Sequence, residues 1–274
     1  MSTIGILGLG IIGSAWSRRY LAAGRLGGVW NRTAQPQAPL WMATPGEVVR
    51  AVDIVQVVVA DPPAVEGLLT QILPELKAGK TVVQSSTIDP VSSARFEALV
   101  RATGAVYIEA PFTGSKPAAE EGKTVFFLGG RKEEIDLVEE VLACVSETRF
   151  RIGSCEQAAT VKLAMNLNLA VQMQGFAESL TFVRRAGISD DTYFSVLAKN
   201  VGYSGLAKLK ENKLRAADFA PQFSVKHMHK DMRLASATAG CADYPLLEAV
   251  REQLKSAQAR GLGDEDFSAL IKLL

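Results

Sequence analysis

The stretch TIGILGLGIIGS, residues 3–14, decides the fold. Its apolar opening reads as a strand, and SAWSRRYLAAG beyond it has the pattern of a helix. Between them Gly8, Gly10 and Gly13 stand in G-x-G-x-x-G spacing, with Leu9, Ile11 and Ile12 completing the loop. In that context each glycine has a task in cradling a dinucleotide. Gly8 permits a tight turn, Gly10 lets backbone approach a pyrophosphate, and Gly13 lets strand and helix pack closely. The helix N-terminus then offers unpaired N–H groups and a partial positive charge to the phosphates.

Outward from this motif, strand-like runs alternate with helical ones up to about Ile152. GGVW, DIVQVVVA, KTVVQSS, AVYIEA, TVFFLGG and TRFRIG are rich in Val, Ile and aromatics. PPAVEGLLTQIL, PVSSARFEALVRATG and KEEIDLVEEVLACV separate several of them. This order predicts an α/β domain over residues 1–153, a doubly wound, largely parallel sheet of the Rossmann type. Strand signals then stop. Residues 154–274 are expected to form an all-helical domain, opened by a long helix to about Ala186 and continued through DDTYFSVLAKN, GLAKLKENKLRA, FSVKHMHKDMRLASA, YPLLEAVREQLKSAQAR and DEDFSALIKLL.

Composition narrows the function classes. The chain has 274 residues, 48% hydrophobic and 22% charged, enough for two medium domains with their own cores. A net charge of +1 gives no global reason to expect nucleic acid or an anionic membrane. No apolar run reaches the ~18 residues of a membrane span. The start has no basic n-region, so no signal peptide is expected. Cys144, Cys155 and Cys241 form no CxxC pair, which argues against a disulfide framework or zinc site and suits a cytoplasmic setting. His227 and His229, two apart on a helix, face different ways and make a poor metal pair; they are read as surface or interdomain residues.

The second strand ends VWNRT. Many NAD sites carry an acid here for the ribose hydroxyls, but this chain has Asn31, Arg32 and Thr33. A guanidinium holds a 2′-phosphate that an acid would repel, so NADP(H) is expected over NAD(H). Ligands of an open parallel sheet bind beyond the strands' carboxyl ends. Three polar segments fall there: Ala60-Asp61-Pro62, the segment SSTIDP with Thr87, and PFTGSKPAAEEG with Thr113, Gly114 and Ser115. Thr87 either places a hydroxyl near a nicotinamide or caps the helix after Pro90. Thr113-Gly114-Ser115 offers hydroxyls and backbone N–H groups to a small carboxylate, or is a plain connecting loop.

Lys162 is the only formally charged residue between Glu156 and Glu178. It either snorkels from a helix edge with its head in water or serves as an acid catalyst. Asn166 lies one turn on, so the two share a helical face. Ammonium and amide together suit donation to a carbonyl oxygen, provided that they line a cleft between the domains.

Taken in order, GLGIIG, VWNRT, SSTIDP, EAPFTGSKPAAEEGK, KLAMN and FSVKHMHKDMRLA resemble the β-hydroxyacid dehydrogenases over nearly the whole chain. That family includes 3-hydroxyisobutyrate dehydrogenases and glyoxylate/succinic semialdehyde reductases. The resemblance implies that Lys162 protonates the substrate oxygen, Asn166 orients substrate, Thr113-Gly114-Ser115 binds the substrate carboxylate and Thr87 meets the cofactor. It also implies that Phe223 lines the site and that Lys230 and Asp231 close over the nicotinamide end. VWNRT resembles the NADPH-using branch. Departures are Thr113 where members commonly have Ser, Glu156 and Ala158 at positions often glycine, and Met165 where many have an asparagine.

The expectation is therefore an NADPH-dependent reductase of small carboxylate-bearing aldehydes, acting as a homodimer or homotetramer without a metal. Alternatives are a dehydrogenase of 3-hydroxyisobutyrate-type acids and, against the presence of Lys162, an imine reductase. A non-catalytic dinucleotide-binding protein is the alternative of another class.

Overall fold

A computed structural model of the chain describes residues 2–238, 240 and 243–274. Cys241, like Met1, lies outside the described residues; Cys144 and Cys155 are free thiols. The chain divides into two compact units, Met1–Lys162 and Leu163–Leu274.

The first unit runs β1 (Ile4–Leu7), α1 (Ile11–Ala22), β2 (Leu26–Trp30), α2 (Pro45–Ala51), β3 (Ile54–Val57), α3 (Pro62–Ile72), β4 (Thr81–Gln84), α4 (Pro90–Arg101) and β5 (Val106–Glu109). It continues with β6 (Phe112–Thr113), α5 (Lys116–Glu121), β7 (Val125–Gly129), α6 (Lys132–Leu142) and β8 (Thr148–Gly153). One sheet has the order β2-β1-β3-β4-β5-β7-β6, with β8 beside β7. β1 through β5 are mutually parallel in that order, whereas β7 runs antiparallel to β5 and β6. The chain switches direction across the sheet at β1 and β3, where a doubly wound sheet binds its ligands.

Helices cover both faces. Trp16, Tyr20, Val138 and Leu142 pack with Ile6, Val83 and Ile108 on one side; Val48, Leu68 and Phe96 pack with Leu7, Val55 and Val82 on the other. The glycines of β2 make room for α2. A Cβ on Gly27 would lie 2.6 Å from Val52 Cγ1, one on Gly28 2.9 Å from Met42 Cε, and one on Gly5 of β1 2.3 Å from Val48 Cγ1. Helix α2 was not read from the sequence, although Thr44 and Glu47 form a full capping box at its start.

The second unit is helical: α7 (Cys155–Arg185, which begins in the first unit), α8 (Asp190–Leu197), α9 (Gly205–Arg215), α10 (Val225–Ala237) and α11 (Pro245–Ala259). Met173, Leu180, Phe194, Met228, Met232, Leu254 and Leu270 form its core. The final stretch is a 3₁₀ segment, Phe267–Leu273, not an α-helix. Asp266 starts it by accepting from the Ser268 N–H, and Ala269 N bonds Asp266 O at 2.8 Å in the tighter i to i+3 pattern. No helix among the described residues is long and apolar enough to cross a membrane.

Candidate active site

The glycine motif forms a turn between β1 and α1. Gly8 has φ +115°, and a Cβ there would meet Val58 O at 2.2 Å; one on Gly13 would meet Gly8 O at 1.9 Å. Both glycines are required by the protein itself. Gly10 is not: a Cβ there meets nothing within 4 Å, although Gly10 is the N-cap of α1. The open space over Gly10, facing first-turn N–H groups of Ile11, Ile12 and Gly13 that have no partner within the helix, fits a pyrophosphate.

Asn31 fastens this turn. Its Oδ1 accepts from Leu9 N at 3.0 Å, and its Nδ2 donates to Thr33 O at 2.9 Å. Arg32 and Thr33 are exposed beside it. At the end of β3, Asp61 caps α3 by accepting from Ala64 N at 2.9 Å, between exposed Ala60 and half-buried Pro62. The helix after Pro90 is capped by Asp89, whose carboxylate accepts from Ser92 N at 2.8 Å. Thr87 is thus not that cap; it lies half-buried in the segment after β4.

Phe112 and Thr113 form the short strand β6, pairing with Phe126 and Val125. The segment read as a loop is therefore built onto the sheet, and it turns at Gly114, with φ +104°, into α5. A Cβ on Gly114 would press Ala118 Cβ at 2.8 Å. Ser115 is the N-cap of α5, yet its hydroxyl makes no cap hydrogen bond.

Lys162 is only 8% exposed, so its side chain does not extend freely into water. Its Nζ lies 5.7 Å from the centroid of the Phe112 ring, within cation–π range. Phe112 is itself fixed edge-on against Trp16, ring centroids 4.8 Å apart. The structure thus brings Lys162 to the segment that carries Thr113, within the same unit as the glycine turn.

Beneath these strand ends runs a polar network that the sequence analysis missed. Glu109 is fully buried at the end of β5 and accepts from Gln84 Nε2 (2.7 Å), Ser93 Oγ (2.7 Å) and Tyr107 OH (2.8 Å). Gln84 also bonds the backbone of Ser86 in both directions, N–H to Oε1 at 2.6 Å and Nε2 to O at 2.9 Å. Its visible signal was a polar residue closing two apolar strands, VVQ and VYIE.

In the helical unit, Asn166 Nδ2 donates to Asp231 Oδ2 at 2.5 Å, and Lys230 Nζ lies 2.9 Å from Asp231 Oδ1. Asp231 is 1% exposed. Phe223 stacks on the ring of His227, whose Nδ1 meets Ser224 Oγ at 2.7 Å. Burial, then Lys230 and Lys226, hold the His227 imidazole below its usual pKa range. His229 instead meets Gln258 of α11. Both histidines are half-buried rather than on the surface, and no metal-holding cluster occurs among the described residues. A second missed feature lies behind Phe223. Lys210 and Asp266 form a buried ion pair at 2.8 Å, and Asp266 also accepts from the N–H groups of Gln222 (3.0 Å) and Phe223 (3.2 Å).

The chain and its fold resemble known proteins. Residues 3–153 match the family model described as the NAD binding domain of 6-phosphogluconate dehydrogenase. Residues 157–274 match that of the NAD-binding of NADP-dependent 3-hydroxyisobutyrate dehydrogenase. The chain is 31% identical to glyoxylate/succinic semialdehyde reductase 2, chloroplastic, of Arabidopsis thaliana, over 99% of this chain and 79% of that protein. The chain belongs to the β-hydroxyacid dehydrogenase family. A crystal structure of 3-hydroxyisobutyrate dehydrogenase from Salmonella typhimurium superposes with a TM-score of 0.89 at 27% identity, covering 100% of both chains. Cytokine-like nuclear factor N-PAC of Mus musculus is 30% identical over 98% of this chain, which spans half of that protein. As a β-hydroxyacid dehydrogenase the chain is a dehydrogenase or reductase with a nicotinamide dinucleotide cofactor.

Proposed function

We propose that this β-hydroxyacid dehydrogenase uses NADPH to reduce small aldehydes bearing a carboxylate, such as glyoxylate or succinic semialdehyde, to hydroxy acids. The observation that carries the proposal is the buried Lys162, fixed over Phe112 beside Thr113 in the unit that also holds the glycine turn. The reductase name of the Arabidopsis relative supports this substrate class. NADPH, when bound, supplies a hydride for the carbonyl carbon. Lys162 Nζ gives a proton to the carbonyl oxygen as negative charge develops there, a contribution of about 10²–10⁴ in rate. The hydroxyls of Thr113 and Ser115 and the Gly114 N–H receive the carboxylate, which fixes the carbonyl for attack. Asn166, held by Asp231, and Phe223 orient the substrate.

The turn from Gly8 to Gly13, including Leu9, Ile11 and Ile12, would hold the diphosphate, with Arg32 and Thr33 available to a 2′-phosphate and Asn31 fastening the turn. Ala60, Asp61, Pro62, Thr87 and Lys230 would complete the cofactor contacts. A domain boundary near residue 153, a homodimer or homotetramer and a cytoplasmic setting belong to the same proposal.

A second reading is dinucleotide binding without turnover: N-PAC, at nearly the same identity as the reductase, is named a nuclear factor rather than an enzyme. NADPH consumption with succinic semialdehyde, measured beside Lys162→Ala and with NADH, separates the two. Turnover preferring NADPH and lost in the variant supports the reductase. NADPH binding without turnover across an aldehyde, 3-hydroxy acid and imine panel supports the second reading.

A further inference from the structure

Glu109 has no part in the chemistry proposed above, yet its surroundings are built. Its carboxylate collects three donors, and one of them, Gln84, grips the backbone of Ser86. Ser86 Oγ in turn accepts from Val59 N at 2.8 Å. A continuous chain of hydrogen bonds, Glu109–Gln84–Ser86–Val59, therefore ties the ends of β5, β4 and β3 together just past the sheet's own ladder. Ala60 follows Val59, Thr87 follows Ser86, and Phe112 stands three residues beyond Glu109.

We propose that Glu109 is a positioning residue for the reduction: its buried carboxyl holds the segments carrying Thr87 and Phe112-Thr113 in the arrangement that presents substrate to Lys162. This rests on the reductase function proposed above. Burial raises the Glu109 pKa to about 8, against the lowering pull of Ser93, Tyr107 and Gln84. Three other titratable groups act with it. Tyr107 on its own strand is pushed up by burial and by Glu109, Cys155 at the start of α7 is pushed up by burial, and Glu97 lies on α4, where it pairs with Arg101. At pH 7 Glu109 is thus a neutral acid that donates one hydrogen bond. Above pH 8 it becomes a carboxylate that accepts from all three neighbours, so the hydroxyl that had taken its proton, Ser93 or Tyr107, must turn and donate instead.

The test compares wild type, Glu109→Gln and Tyr107→Phe in NADPH-linked succinic semialdehyde reduction between pH 6 and 9.5. Glu109→Gln mimics the neutral acid. Wild-type kcat/KM is expected to fall about tenfold through a midpoint near 8, chiefly in KM for the aldehyde, a fall that the Gln variant lacks. Tyr107→Phe removes a donor to the carboxylate and should move the midpoint to higher pH. Spectra of methyl-labelled threonine give a readout free of turnover. Thr87 and Thr113 methyl signals should shift with the same midpoint in wild type and stay still in Glu109→Gln. Identical kinetic profiles in wild type and the Gln variant overturn the proposal, as do threonine signals that ignore the titration. Wild type that reduces no carbonyl substrate refutes the reductase function instead, and the threonine signals then decide whether Glu109 positions these segments.

Discussion

Replacing Lys210 by Met should destabilise the helical unit by an amount that the structure bounds. The pair is dry, with side-chain exposures of 2% and 0%. Removing one member of such a pair costs about 3–5 kcal/mol, because it strands the other charge. Asp266 would keep four donors: the N–H groups of Gln222, Phe223 and Ser268, and Ser268 Oγ at 2.8 Å. Lys210→Met therefore belongs at the lower end, about 3 kcal/mol. Asp266→Asn keeps one acceptor oxygen for the ammonium but removes the opposing charge and turns an NH2 toward N–H donors, and belongs at the upper end, about 5 kcal/mol. At about 4 °C per kcal/mol for a unit of this size, thermal melts should fall by roughly 12 °C and 20 °C.

The pH dependence carries a sign. Burial raises the Asp266 pKa, but Lys210 and the Ser268 hydrogen bonds outweigh it, so the carboxyl titrates below its ordinary value of 3.8. The stability it contributes is present above that value and is lost as pH falls through the lower folded one. Without Lys210 the burial effect is left to win. The variant's fold then binds its proton before the unfolded chain does, and the gap from wild type narrows as pH drops toward 4. Melts followed by circular dichroism from pH 4 to 7 check this. Variants within 1 kcal/mol of wild type, or a gap that stays constant with pH, would refute the reasoning.

Gly10→Ala should fold normally, since its Cβ meets nothing, yet lose most of its NADPH affinity in a fluorescence titration; Gly13→Ala, with a Cβ 1.9 Å from Gly8 O, should melt lower as well. Arg32→Ala should weaken NADPH binding by about 10–100-fold and leave NADH nearly unchanged, as expected for one charge-assisted contact to a 2′-phosphate. Wild-type stability should decline between pH 4.5 and 8, because Glu109 has its folded pKa raised from 4.5 to about 8 and its favourable contribution is complete only below pH 4.5. That shift corresponds to about 5 kcal/mol, and urea titrations of Glu109→Gln should lack the decline.

Much of the fold was legible because its signals are local. Seven apolar runs bounded by turn residues became seven strands, and the glycine spacing stood where a strand meets a helix. Helix α2 and strand β6 were harder. The first is seven residues long, and the second has two residues and exists only by pairing with β7. Candidate residues could be picked out where one segment carries the chemical groups, as at Lys162 or Thr113. The candidate site was illegible where chemistry depends on strands or helices meeting. Gln84 and Glu109 are neighbours only because β4 lies beside β5, and Lys210 finds Asp266 across 56 residues. Polar residues closing apolar strands were the one available hint.

The placement of Asn31 bears on how a lineage could exchange one cofactor for another. A comparison of sequences alone would nominate it for replacement by an acid. Its amide, however, receives the Leu9 N–H and gives one to Thr33 O, so an aspartate would keep the first bond and forfeit the second. Arg32 is exposed and forms no ion pair among the described residues. On the proposed NADPH preference, evolution toward the unphosphorylated dinucleotide would therefore be expected to begin at Arg32, where drift is nearly neutral for the fold, and to reach Asn31 only after the turn had acquired another fastening.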